Sequence, residues 1–392
     1  MKILRVIASV DPATGGPIAG LRAITPELNK LGWTSEFLSV DDPHAPFLND
    51  GIAPIHACGP AGNAYATAPA LRPWLNAHVN GFDAVIVHGL WQDLGRAVRA
   101  ACVKVGRPYF VFPHGMLDPS LRHAYPVRHG KKWIYWLFAE RAVLRDARAV
   151  FFTCEEERRL AKTSFPLYSV NECVVKYGTA APPEEQLALL GTQSGIDAPY
   201  WLFLGRIHSK KGIDLLLSAY AKLFADATGD RWATIPRLVI AGPCHDEAYL
   251  RSLKNSAEKL GIAEKIEWPG MLSGNAKWAA LAKAEVFILP SFQENFGLAV
   301  AEALAVGTPV LLSDRVNIWR DVAADGAGFA EPVTEAGTLR LMRRWLATSP
   351  TERTAMRVAS RQCFLRRFEI SAVARDFSHA LSTLIRRPVS AA

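Results

Sequence analysis

The sequence predicts an α/β protein made of two doubly wound domains, each built on a parallel sheet. Three observations carry the prediction. Apolar runs of strand length alternate with helical stretches from residue 1 to residue 178. The stretch 179–198, TAAPPEEQLALLGTQSGIDA, then changes character, and its double proline and small polar residues read as a linker. A second alternation begins at WLFLG (201–205) and fills 199–370. At 392 residues, 50% hydrophobic and 21% charged, the chain has enough apolar material for two cores.

Each element follows from local chemistry. Residues 1–10 form an apolar strand; Arg5 within the run, and the absence of a small-residue cleavage site, argue against a signal peptide. Gly15 and Gly16 sit where this strand meets a helix, Pro17 suits a first helical position, and Gly32 closes the helix after Lys30. TSEFLSV (34–40), DAVIVHG (83–89), PYFVFPHG (108–115), AVFFTC (149–154) and CVVKYG (173–178) are strands, and EEERRLAK is a charged helix. Residues 41–70 give no pattern. Beyond the linker, RLVIAG (237–242) and KIEWPG (265–270) are strands, and IDLLLSAYAKLFADA (213–227) is an amphipathic helix. The tail, 371–392, carries Val373, Phe377, Leu381 and Leu384 at helical spacing and needs a surface to lie on.

The stretch from Ala284 to Asp314 organises the second domain. It reads as strand, polar turn (FQENFG), helix (LAVAEALAVG) and strand. Ligands of parallel sheets bind at the carboxyl ends of such strands. Glu294 lies in the turn and Glu302 in the helix, and the amides of Phe296, Gly297 and Leu298 start that helix. The result is an anion site flanked by two acids. The loop GRIHSKKG (205–212) adds Arg206 and Lys211, a guanidinium and an ammonium suited to a diphosphate. It is not a Walker loop, and no GxGxxG lies nearby. Cations for phosphates and carboxylates for hydroxyls together describe a nucleotide-sugar pocket.

With Gly15 and Gly16, His114 in PHG, Arg206 and Lys211 in GRIHSKKG, and the E-x7-E pair Glu294 and Glu302, the chain resembles the retaining glycosyltransferases of family 4. The resemblance runs over nearly the whole chain, and ENFGLAVAEALAVGTPV is its most specific part. It implies a GT-B fold: two Rossmann-like domains facing across a cleft, with the C-terminal helix crossing back to the first. It also implies roles. Arg206 and Lys211 would bind the donor diphosphate and stabilise it as it leaves. Glu302 would bind ribose hydroxyls, and Glu294 the donor sugar near the reacting carbon. Phe296, Gly297 and Leu298 would assist through their amides. Gly15 and Gly16 would let the diphosphate approach, and His114 would face the donor sugar. No cofactor or metal is expected, since Arg and Lys neutralise the leaving group. One departure is RVNIW (315–319), where many relatives have a glycine-rich turn, near the donor side. The HGLW and PHGMLDPS segments resemble a subgroup linked to exopolysaccharide, O-antigen or lipopolysaccharide assembly.

The net charge of +8 favours an anionic partner. Residues 122–136, RHAYPVRHGKKWIYW, hold Arg122, Arg128, Lys131 and Lys132 without one acid, interleaved with aromatics such as Trp133. Such a stretch suits an anionic membrane surface, and also single-stranded nucleic acid. With Trp91 it forms the expected acceptor or membrane side, fitting a glycan or lipid-linked acceptor. The six cysteines are scattered without ligand spacing, which argues against a structural zinc, and Cys102, Cys154 and Cys173, in or beside apolar runs, read as buried free thiols of a reducing compartment. No run is long enough to span a membrane. The expected location is therefore the cytoplasm, or the inner face of its membrane as a peripheral protein. Two other readings stand beside the main one: a nucleotide-sugar epimerase of similar form, using His114 and Asp118, and a nucleic-acid-binding protein, for which no motif is found.

Overall fold

The structure is a computed structural model describing residues 1–49, 51–119, 126–183, 185–186, 196, 199–226 and 235–386, with only the backbone described at 126–129 and 131. The chain forms two compact units: Met1–Gly178 together with Ile370–Ala392, and Thr179–Glu369.

The first unit carries a seven-stranded sheet. Its strands are β1 (Lys2–Ile7), β2 (Thr34–Ser39), β3 (Ile55–Ala57), β4 (Ala84–His88), β5 (Tyr109–Phe112), β6 (Ala149–Phe152) and β7 (Glu172–Val174). Their order is β3-β2-β1-β4-β5-β6-β7, and every pair is parallel. β4, β5 and β6 are buried throughout, which is why they read as continuous apolar runs. Alternate residues feed two cores. Leu4, Val6, Val85, Val87 and Val111 face one side, while Ile3, Ile86, Phe110, Phe112 and Phe151 face the other.

The second core is closed by the C-terminal helix Ile370–Arg386, whose Phe377, Leu381 and Leu384 are buried in it. Trp33 Nε1 donates to Ser378 Oγ at 2.7 Å, and Phe377 meets Phe112 and Phe151. This is the surface that the tail's helical pattern required.

The second unit carries six strands: β8 (Tyr200–Leu204), β9 (Arg237–Ala241), β10 (Ile266–Gly270), β11 (Val286–Leu289), β12 (Val310–Ser313) and β13 (Gly328–Glu331). Their order is β10-β9-β8-β11-β12-β13, again all parallel. Thr179 and Glu369, its first and last residues, pair with each other, and Thr179 N–H donates to the Phe368 carbonyl at 3.0 Å. Of the expected linker, residues 184, 187–195 and 197–198 lie outside the described residues.

Some boundaries differ from expectation for local reasons. β5 stops at Phe112 because Pro113 has no N–H to extend the ladder. β3 lies inside the patternless stretch 41–70. At three residues on the sheet edge it is too short to show alternation.

Candidate functional site

Because every strand of the second sheet runs the same way, the loops after β8, β11 and β12 leave from the same, carboxyl end of the strands. The loop after β8 ends in a short turn, Ser209–Lys211, and Gly212 at φ +70° starts the helix Ile213–Ala225. A Cβ on Gly212 would lie 2.1 Å from the Pro290 carbonyl oxygen, so only glycine fits. Phe292 N–H donates to the Lys210 carbonyl at 2.8 Å, stapling this loop to the one after β11.

That staple brings Lys211 onto Glu294, and their side chains form an ion pair. Glu294 is also held from its backbone by the segment after β12. Its N–H donates to the Arg315 carbonyl at 2.9 Å and its carbonyl accepts from Asn317 N–H at 3.0 Å. Arg315 and Asn317, in the RVNIW segment, therefore hold the Glu294 backbone in place. Gly297, at φ +76°, caps the helix Leu298–Ala305, whose first amides point outward as at any helix start. Glu302, 7% exposed, sits in that helix.

Its partner is Lys277, on the helix Gly274–Lys283: Lys277 Nζ lies 2.6 Å from Glu302 Oε1 and 4.5 Å from the Trp278 ring centre. Arg206 is exposed and has no ion pair among the described residues. His208 lies in the same loop. Burial, then the charges of Lys210, Arg206 and Lys211, hold its imidazolium below the usual range, so it does not add to that positive field at neutral pH.

In the first unit, His114 follows β5 in a turn where its own φ is +49° and that of Gly115 is +76°. Glu157 holds this turn. Its carboxylate accepts from Gly115 N–H at 2.6 Å and from Thr153 N–H and Oγ1, each at 2.7 Å. Burial pushes the His114 pKa down to about 4, so the ring is neutral at pH 7. Gly15, at φ +93°, precedes the helix Gly16–Lys30. A Cβ on Gly16 would meet nothing within 4 Å, so the fold itself does not demand glycine there.

Two family models divide the chain between them. "Glycosyl transferase 4-like domain" matches residues 15–178 and "Glycosyl transferases group 1" matches residues 192–362. The chain belongs to the glycosyltransferases. A D-inositol 3-phosphate glycosyltransferase of Streptomyces avermitilis is 32% identical over 197 residues, 49% of this chain and 42% of that protein. The chain spans less than half the length of the curated relatives it matches, between 25% and 42%. Among solved structures, a sucrose-phosphate synthase from Thermosynechococcus elongatus superposes with a TM-score of 0.74 at 19% identity, covering 98% of this chain and 99% of that one. Anabaena HepE in complex with UDP and glucose gives a TM-score of 0.73 at 17% identity, covering 98% of this chain and 100% of that one. These likenesses show the fold, GT-B.

The acceptor-side residues expected in this glycosyltransferase fall partly outside the description. Arg122 lies outside the described residues, and so do the side chains of Arg128 and Lys131. Lys132 stands over the Trp91 ring at 4.8 Å, and Trp91, at φ +67°, donates its backbone N–H to Glu140 Oε2 at 3.1 Å. Burial pushes the Glu140 carboxyl up to about 8. Trp133 is partly exposed, and next to it Ile134, Leu137 and Phe138 (85% exposed) lie in the open. Among the described residues, no helix is long and apolar enough to cross a membrane, and no His, Cys, Asp and Glu cluster could hold a metal. Sequence reasoning missed Lys277, Glu140 and Glu157, because each meets its partner only through the fold.

Proposed function

We propose that this family member transfers a sugar from a nucleotide-diphosphate sugar to a glycan or lipid-linked acceptor with retention of configuration. The observation that carries the reading is the charge arrangement at the carboxyl ends of the strands: Lys211 against Glu294, Lys277 against Glu302, and Arg206 exposed on the Lys211 loop. An arriving diphosphate competes with Glu294 for the Lys211 ammonium and takes up the Arg206 guanidinium. Glu294 is thereby released toward sugar hydroxyls. Glu302, held by Lys277 through one oxygen, keeps the other for ribose hydroxyls. Gly15, Gly16 and His114 are assigned to the donor on the family resemblance. Phe296, Gly297 and Leu298 are likewise assigned, through their amides, on the family resemblance.

In the reaction, the bond from the anomeric carbon to the diphosphate oxygen breaks. The acceptor oxygen bonds the same face, and its proton passes to the departing phosphate. Arg206 and Lys211 stabilise the charge that develops, so no metal is assigned a role.

HepE was solved with UDP, which makes UDP the first donor base to test. The experiment is a thermal-shift screen against UDP, GDP, ADP and their sugars. One nucleotide series should raise the melting temperature, since ligand at a hundred times Kd adds about 2.7 kcal/mol. No shift with any of them would overturn the reading. An epimerase would turn over the nucleotide sugar without acceptor.

We further infer that the exposed Ile134, Leu137 and Phe138, with the lysines before them, rest on an anionic membrane where a lipid-linked acceptor of surface polysaccharide would lie. Reversing the charge of Lys131 and Lys132 should abolish sedimentation with phosphatidylglycerol vesicles. Unchanged sedimentation would remove this part.

A further inference from the structure

Beneath His114 lies a buried polar group of side chains with no assigned task. His88, the last residue of β4, is 5% exposed, and its Nδ1 is 3.1 Å from His114 Nε2. Phe112 stacks on both rings, at 5.2 Å from His88 and 5.5 Å from His114, and limits their rotation. His88 Nε2 is buried and has no hydrogen-bond partner among the described residues. On β1, alongside β4, Arg5 is 1% exposed, and among the described residues its Nε and Nη2 also lack partners. Burial lowers the Arg5 pKa only to about 10, so it stays a cation, and its charge acts on His88.

Only one proton can sit between two neutral imidazoles, and its owner decides the tautomer of both. A buried N–H with no acceptor is less favourable than a bare lone pair, and a cation on the neighbouring strand adds to that preference, so His88 Nε2 carries the lone pair. A neutral His88 with a lone pair at Nε2 carries its proton on Nδ1. That Nδ1–H then donates to His114 Nε2, which must be the lone-pair nitrogen, so the His114 proton sits on Nδ1. Among the described residues His114 Nδ1 has no hydrogen-bond partner.

We propose that Arg5 and His88 are positioning residues that hold His114 as the Nδ1–H tautomer, so that His114 presents a hydrogen-bond donor to the sugar substrate. The last clause rests on the proposed function; the tautomer does not. In the opposite tautomer, His114 would offer a lone pair, which suits a hydroxyl proton but not a sugar oxygen accepting a bond.

The test is a long-range ¹H–¹⁵N spectrum of the full chain labelled with ¹⁵N-histidine at neutral pH, with His114→Asn assigning the resonances. The expected result is a protonated, pyrrole-type Nδ1 and a pyridine-type Nε2 at His114. A protonated Nε2, or averaging between the two forms, would overturn the proposal, and the parent protein alone decides this. His88→Asn, whose amide N–H can replace Nδ1–H, should keep the His114 tautomer, and His88→Phe should lose it. A His88→Phe protein that folds and keeps the parental pattern would also overturn it. With the donor found by thermal shift, His88→Phe should lower kcat by about tenfold or more, the loss seen when the outer partner of a metal-bound imidazole is removed. A parent protein that transfers nothing would remove the proposed function and leave the tautomer result standing.

Discussion

Gly16 and Lys211 separate what a residue does for the fold from what it does for a ligand. A Cβ at Gly16 meets only open space, and its φ is not in the left-handed region. Gly16→Ala should therefore melt at the parental temperature or slightly above it, helix propensity favouring alanine by up to about 1 kcal/mol. It should nevertheless weaken binding of the nucleotide sugar that thermal shift identifies; equal binding would strip Gly16 of its assigned role. On the proposed function, Lys211→Ala would remove one charged partner of the diphosphate, worth about 1.5–3 kcal/mol. Calorimetry should read a loss of roughly ten- to a hundredfold in nucleotide affinity.

His114 bears on stability as well. Its ring is neutral when folded down to about pH 4, while the unfolded chain takes up the proton near 6.5. The unfolded state thus binds more protons between those values, and stability falls as pH drops through that window. Denaturation midpoints measured from pH 7 to 4 should fall less steeply for His114→Asn.

At the scale of elements, the site depends on loops tied to one another rather than on any single motif. The loop after β8 is bound to the loop after β11, which is bound in turn to the segment after β12. Gly212→Ala would drive a methyl into the Pro290 carbonyl and force a side chain into φ +70°. The expected cost is about 1–3 kcal/mol, read as a lower urea midpoint, with loss of the Lys211–Glu294 pairing. A parental midpoint would mean that the loop relaxes freely. The helix Leu298–Ala305 and strand β12 were legible because their apolar runs are long and bounded by Gly and Pro. Strand β3 and the π-helical turn Trp136–Glu140 were not, since three residues or one irregular turn leave no period to read.

At the scale of the molecule, the last helix belongs to the unit that begins the chain. Val373, Phe377, Leu381 and Leu384 are buried there, each worth about 1.5–3 kcal/mol. Their sum rivals the 5–15 kcal/mol that holds a typical domain together. Deleting 370–392 should therefore unfold the first unit and spare the second. Limited proteolysis should then leave a resistant fragment spanning 199–369; resistance of residues 1–178 would refute this dependence.

Chain composition and local order determined the α/β class, the two alternations, the basic loop at 205–212 and the acids at 294 and 302. All of these depend on neighbours within a few residues, where apolar period and turn chemistry act directly. Only tertiary structure decided that Lys211 meets Glu294, that Lys277 meets Glu302, and that His88 stands under His114. Those partners come from different strands and helices, 83, 25 and 26 residues apart, and are joined by sheet order, which no local pattern encodes.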